Sequence, residues 1–139
     1  MKRYKSIKAI FNESVTINEN EIFLDNKKLN AIYENVPNFI INDLDSLTGR
    51  MSDFYNDVQF PNYDDCEDYA SIYDKGMKNL FTRRLDEEIG YGTKILELGC
   101  GTGQLSLFLA RGNRDVFSVD ISNSSLILGE KFRKRNQID

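Results

Sequence analysis

Three glycines at alternate positions, Gly99, Gly101 and Gly103, sit between a stretch that reads as a strand and one that reads as a helix. Before them runs Thr93-Lys94-Ile95-Leu96-Glu97-Leu98, aliphatic and short. After them runs Gln104-Leu105-Ser106-Leu107-Phe108-Leu109-Ala110, and then a second strand, Val116 to Val119, that ends in Asp120. Strand, glycine loop, helix, strand and terminal carboxylate together read as the first half of a nucleotide-type binding site. Glycine at alternate positions lets the backbone turn sharply and lets a ligand approach without meeting a Cβ. The following helix is expected to aim free N–H groups and its positive dipole end at that ligand.

Three kinds of ligand loop compete for these residues. A phosphate loop of the Walker type needs Lys and then Ser or Thr after its last glycine, where Gln104 and Leu105 stand. A dinucleotide loop of the form G-x-G-x-x-G needs a third glycine at position 104, which is again Gln104. The third form has an acidic residue two before the first glycine, then G-x-G-x-G. Glu97, Gly99, Gly101 and Gly103 fit it without a gap.

The stretch Glu97 to Gly103 resembles motif I of class I S-adenosylmethionine-dependent methyltransferases, and Val119-Asp120 resembles their motif II. The resemblance covers about residues 94–136. It implies a Rossmann-like methyltransferase fold, of which only the first β-α-β-α portion is present, preceded by a small β-rich segment. It implies S-adenosylmethionine as cofactor. Gly99, Cys100, Gly101, Thr102, Gly103 and Gln104 would line its methionine and ribose portion. Glu97 would hold the loop and meet the amino group, Asp120 would accept from both ribose hydroxyls, and Ile121 would pack on adenine. The activity implied is methyl transfer to an unidentified acceptor. Two alternatives stay open: a non-catalytic cofactor-binding or protein-interaction module, and an NAD-dependent oxidoreductase.

The rest of the chain is read around that unit. Residues 1–41 look like a small β-rich segment, with Val15-Thr16-Ile17 and Glu21 to Leu24 as strands and turns at 18–20 and 25–28. Residues 42–64 form a polar connector with a short helix over about Leu47 to Tyr55. Tyr55, Phe60 and Tyr63 within it are expected on the cofactor side, with Tyr63 touching the cofactor as part of a lid. Residues 65–139 start the binding domain. Apolar spacing from Ala70 to Leu85 predicts one helix from Asp65 to Ile89, capped by Asp64 or Asp65. Ser122 or Asn123 is expected to cap a last helix running to about Asn136.

The totals narrow the partners. The chain has 139 residues, a formal charge of −4 and no histidine. No His-based triad or His-ligated metal is available, and Cys66 and Cys100 alone make no metal set. The acidic balance gives no clear nucleic-acid surface; the cluster Lys131, Arg133, Lys134 and Arg135 reads as a solvated helix end. No apolar h-region follows the basic N-terminus and no membrane-length run is present, which points to a cytoplasmic setting. Class I methyltransferases order their strands 3-2-1-4-5-7-6. The expectation is therefore that this chain is the N-terminal part of a longer protein, lacking the C-terminal part of its own domain. Alone it should catalyse no methyl transfer and bind cofactor poorly.

Overall fold

The computed structural model describes residues 10, 15–18, 21–29, 31–32, 36–40 and 44–138. They fall into two compact units, 1–49 and 50–139.

The first unit is built of short antiparallel strands. β1 (Val15–Asn18), β2 (Glu21–Leu24) and β3 (Lys27–Lys28) lie in that order in one sheet, with Val15 opposite Leu24 and Leu24 opposite Lys27. β4 (Ala31–Ile32) pairs with β5 (Val36–Pro37) in a second. The turn expected at 25–28 is tighter than that. Asp25 and Asn26 alone make it, both at positive φ (48° and 64°), and Lys27-Lys28 has joined the sheet. Asp and Asn tolerate this left-handed backbone best among residues with a Cβ, and two such residues match the twist of a hairpin. Glu19 and Asn20, the other expected turn, lie outside the described residues. Val15, Ile22, Leu29 and Val36 are buried.

α1 (Ser46–Asp57) spans the division between the units. The Asp45 carboxylate starts it by accepting from the Leu47 and Thr48 N–H groups, both at 3.0 Å.

In the second unit, the single helix expected over 65–89 is two. α2 (Tyr69–Lys78) begins at Asp68, whose carboxylate accepts from Ser71 N–H at 2.9 Å. It stops at Asn79, which leaves the helical region (φ −86°, ψ 118°), and α3 (Leu80–Glu88) starts there. The apolar spacing runs through the break, but Asn79 offers its own side chain as an N-cap to Thr82 N–H (3.0 Å). A short polar side chain competes with the helical backbone in this way, and here it wins. β6 (Lys94–Leu98) and β7 (Asp115–Val119) then pair in parallel, Leu96 opposite Phe117 and Leu98 opposite Val119. α4 (Gln104–Leu109) connects them, and α5 (Asn123–Arg135) follows, capped by Ser122. The result is mixed α/β with a parallel strand pair, compatible with a Rossmann-like arrangement.

The core gathers Cys66, Ile72, Leu107, Phe108, Leu109 and Phe132. Gly76 lets α2 sit directly on α4: a Cβ there would lie 2.3 Å from the Phe108 ring. Arg114, buried beside this core, donates to the carbonyls of Asp86 (2.9 Å), Gly90 (3.2 Å) and Leu109 (3.4 Å) and pairs with the Asp86 carboxylate at 2.6 Å. One guanidinium thus closes the ends of α3 and α4 together. On α5, Arg133 and Lys134 pair with the buried Glu130, and Arg135 donates to Glu67 O.

The two-stranded sheet is covered unequally. Ile95 and Val116 pack into the core, whereas Leu96 and Leu98 on the opposite face are 53% and 73% exposed. Neither β6 nor β7 has a second strand partner among the described residues. Adjacent apolar side chains beside unpaired strand edges promote association. The chain should therefore show concentration-dependent self-association in sedimentation velocity. Leu96→Gln with Leu98→Gln should reduce it with little change in melting temperature, since both side chains already face water.

Candidate functional site

The glycine loop hangs from the ends of both strands. Gly99 and Cys100 N–H donate to Val119 O (2.8 and 3.1 Å), and Gly103 N–H donates to Cys100 O (2.9 Å). Gly101 N–H donates to Asp120 Oδ2 at 2.6 Å, while Asp120 Oδ1 accepts from Ser122 N–H at 2.8 Å. Gly99, Gly101 and Gly103 all stand at positive φ, 72°, 56° and 79°. That backbone is cheap only for glycine.

The bonding spends most of the loop's own amides. Four of the five are taken up inside the loop and by the β7 end, and the helix that follows, α4, has only six residues. A phosphate cradle depends on unspent N–H donors. What the loop region offers is acceptors.

Those acceptors are two carboxylates on neighbouring strand ends. Glu97 is half-buried on β6, and burial pushes its pKa up. The Ser106 hydroxyl, which donates to Glu97 Oε2, pulls the other way, and the charge of Asp120 adds to the rise. Among the described residues neither carboxylate forms an ion pair, whereas Glu21, Asp86, Glu87 and Glu130 do. Cys100 is buried between them. Burial first, then Glu97 and Asp120, push its thiol up to about 12, so it is a neutral thiol at physiological pH and no nucleophile. Space is open at Gly99, where a Cβ would meet nothing within 4 Å.

The connector lies against the same loop. Phe60 O sits 2.3 Å from where a Gly101 Cβ would be. Thr102, fully buried, donates its hydroxyl to Pro61 O, and its carbonyl accepts from Tyr63 OH at 2.7 Å. The Gln104 side chain donates to Asn62 O. The Tyr63 ring stacks on Phe132 of α5 at 4.2 Å, and its burial raises the phenol pKa. Farther back, Ser122 Oγ donates to Tyr55 O (2.9 Å), Asn56 Oδ1 accepts from Ser124 N–H (3.1 Å), and Ser52 Oγ donates to Ile121 O (3.4 Å). So the backbone around Tyr55 and Phe60 borders both the Asp120 turn and the glycine loop, although the Phe60 ring itself is exposed. Thr102, Gln104 and Tyr63 hold the connector to the loop. Glu97, Gly99, Cys100, Gly101, Gly103, Asp120 and Ile121 surround the turn where the strands end.

A cavity of about 580 Å³ opens elsewhere on this unit, lined among others by Asn62, Tyr63, Cys66, Leu128 and Arg135. Of the expected contacts it includes Tyr63 alone. Its chemistry is unfocused, and the paired carboxylates at the strand ends define the candidate site better than its size does.

Several residues here escaped the sequence reading. Ser106 and Ser118 interrupt otherwise apolar stretches, which is the trace a buried polar contact leaves. Gly129 stands alone inside α5. A Cβ there would lie 2.1 Å from Thr102 O, so the helix rides directly on the glycine loop. Asn56 and Ser52 carried no such signal.

Comparison with curated proteins finds a stretch of 67 residues that is 30% identical to the Bacillus subtilis (strain 168) protein "Putative methyltransferase YqeM". The match takes in 45% of this chain and 27% of that protein, so the chain matches about a quarter of that relative's length. No family model and no solved structure matches the chain. Among the described residues no helix is long and apolar enough to cross a membrane. The similarity indicates a distant relationship to that protein.

Proposed function

We infer that this chain carries the cofactor-binding part of a class I S-adenosylmethionine-dependent methyltransferase of Rossmann-like fold, acting on an acceptor still to be identified. The observation that carries the reading is the pair Glu97 and Asp120: two carboxylates that form no ion pair among the described residues, at the ends of adjacent parallel strands, flanking a loop in which four of five amides are already bonded. Such a site suits a ligand that is cationic and rich in donors, and it repels phosphate. S-adenosylmethionine carries an ammonium, a sulfonium and a ribose diol. The residues present fit it: Glu97 to the ammonium, Asp120 to the diol through the lone pairs its backbone bonds leave open, and open space at Gly99 for close approach.

When bound, the cofactor supplies a methyl group already activated on sulfur. The protein's contribution is then largely to position it. Asp120 does so twice over, since the carboxylate that would hold the diol also fixes Gly101. The connector excludes water from the Gly101 side of the loop.

Calorimetric titration with S-adenosylmethionine tests this. Asp120→Ala should weaken binding by about 1.5–3 kcal/mol, the scale of lost charge-assisted hydrogen bonds. Asp120→Asn, which keeps one acceptor, should lose less. Equal affinity in all three proteins would show that the ribose is not held there.

A further inference from the structure

Glu97 does not stand alone on its strand. Its Oε2 accepts from the Ser106 hydroxyl of α4, and Ser106 Oγ in turn accepts from the Ser118 hydroxyl of β7 at 2.5 Å. Ser106 is buried, and Ser118 is half-buried on the strand beside Glu97, whose register partner it is. A hydroxyl has a single proton. Once Ser106 gives its proton to the carboxylate, it can only accept from Ser118, so the chain of donors runs in one direction, from β7 through α4 to β6. Ser106 also lies directly beneath the loop: its Cβ and Oγ are each 4.0 Å from where a Gly103 Cβ would be. The second oxygen of Glu97 accepts no hydrogen bond among the described residues.

We propose that Ser106 and Ser118 are positioning residues, a two-hydroxyl relay that fixes the Glu97 carboxylate by one oxygen and leaves the other directed to the ammonium group of a bound cationic ligand. The proposal rests on the cofactor reading above for the identity of that ligand, but not for the relay itself. Its physical need is clear. A half-buried carboxylate close to a second one, Asp120, loses charge unless something donates to it, and a neutral carboxyl holds an ammonium poorly. The ionisable groups acting on Glu97 or acted on by it are Asp120, on the turn after β7, and the Cys100 thiol, on the loop. Asp120 opposes its charge, the thiol is neutral where Glu97 titrates, and the Ser106 hydroxyl is the group that favours the charge. The relay places that donor without a basic side chain, which would compete with a cationic ligand for the same carboxylate.

The test is a carbon-13 NMR titration of the Glu97 side-chain carboxyl in the full chain, with Ser106→Ala, Ser118→Ala and Ser106→Thr beside the wild type. The Glu97 midpoint should move upward in Ser106→Ala, move upward less in Ser118→Ala, and return toward wild type in Ser106→Thr, which restores the hydroxyl. A midpoint unchanged in Ser106→Ala overturns the proposal, as does an equal shift in the Ala and Thr variants, which would mark a packing effect. Circular dichroism of each variant separates loss of the relay from loss of the fold. Titration of the same proteins with S-adenosylmethionine should show binding at neutral pH weakened about tenfold in Ser106→Ala. If the midpoints move as stated and no variant or wild-type protein binds that ligand, the relay stands and the cofactor reading fails.

Discussion

Arg114→Met should cost the fold about 3–5 kcal/mol, the largest loss expected from a single replacement in this chain. The side chain is 3% exposed, pairs with Asp86 and donates to four backbone carbonyls at the ends of α3 and α4. Methionine fills similar space but leaves those carbonyls and the 14%-exposed Asp86 carboxylate with fewer donors. Arg111 still pairs with Asp86 and lies over the Tyr73 ring, 4.4 Å from its centroid, so Asp86 is not stripped of all charge partners. Thermal unfolding at pH 7 should show a drop of more than 10 °C, given about 4–8 °C per kcal/mol in a unit of this size.

The same cluster sets an acid limb. Hydrogen bonding from Arg111, with further help from Arg114, holds the Asp86 carboxyl below its ordinary range against the opposing effect of burial. A depressed folded pKa means that the unfolded chain takes up the proton first. The contribution is therefore fully present above the unfolded value of about 3.9 and is lost as pH falls through the folded value. Asp86→Asn should lower the melting temperature at pH 7 and flatten its dependence on pH below about 4. A variant curve parallel to wild type across that range would remove Asp86 from the account.

Gly129→Ala should be the second large effect, and it runs against propensity. Within an ordinary helix the change stabilises by about 1 kcal/mol. Here the new Cβ would meet Thr102 O at 2.1 Å and Thr102 C at 3.0 Å, and both are backbone. The helix or the loop must shift, at a cost of about 1–3 kcal/mol. The amide resonances of Gly99, Gly101 and Gly103 should move with it. Gly49→Ala in α1, where a Cβ meets nothing within 4 Å, is the control and should be neutral or stabilising. If the two replacements behave alike, α5 does not bear on the loop.

The glycine loop, its strands and its helix were legible because each rests on local chemistry: positive φ at alternate glycines, aliphatic strands, and Ser122 before a helical run. The N-terminal hairpin was legible for the same reason. The break at Asn79 was not, because the apolar period continues across it and only the cap chemistry of one side chain interrupts it. The partners of the loop were hidden for a different reason. Ser106, Ser118, Asn56, Arg114 and Gly129 act through contacts between residues 9 to 68 positions apart, and a single sequence does not record which polar residue will be buried against which. The part Asp120 plays in the loop was hidden as well: its carboxylate was expected to face a ligand, and what the structure records is that it holds Gly101 N–H.

Whether the Glu97–Gly103 loop and Asp120 receive S-adenosylmethionine is read residue by residue in a nitrogen-15 NMR titration of the full chain, which tolerates weak binding. With S-adenosylmethionine, saturable shifts should appear at Gly99 to Gly103 and at Asp120 to Ser122, while NAD at equal concentration leaves them in place. Saturable shifts at these amides with NAD and none with S-adenosylmethionine would contradict the claim.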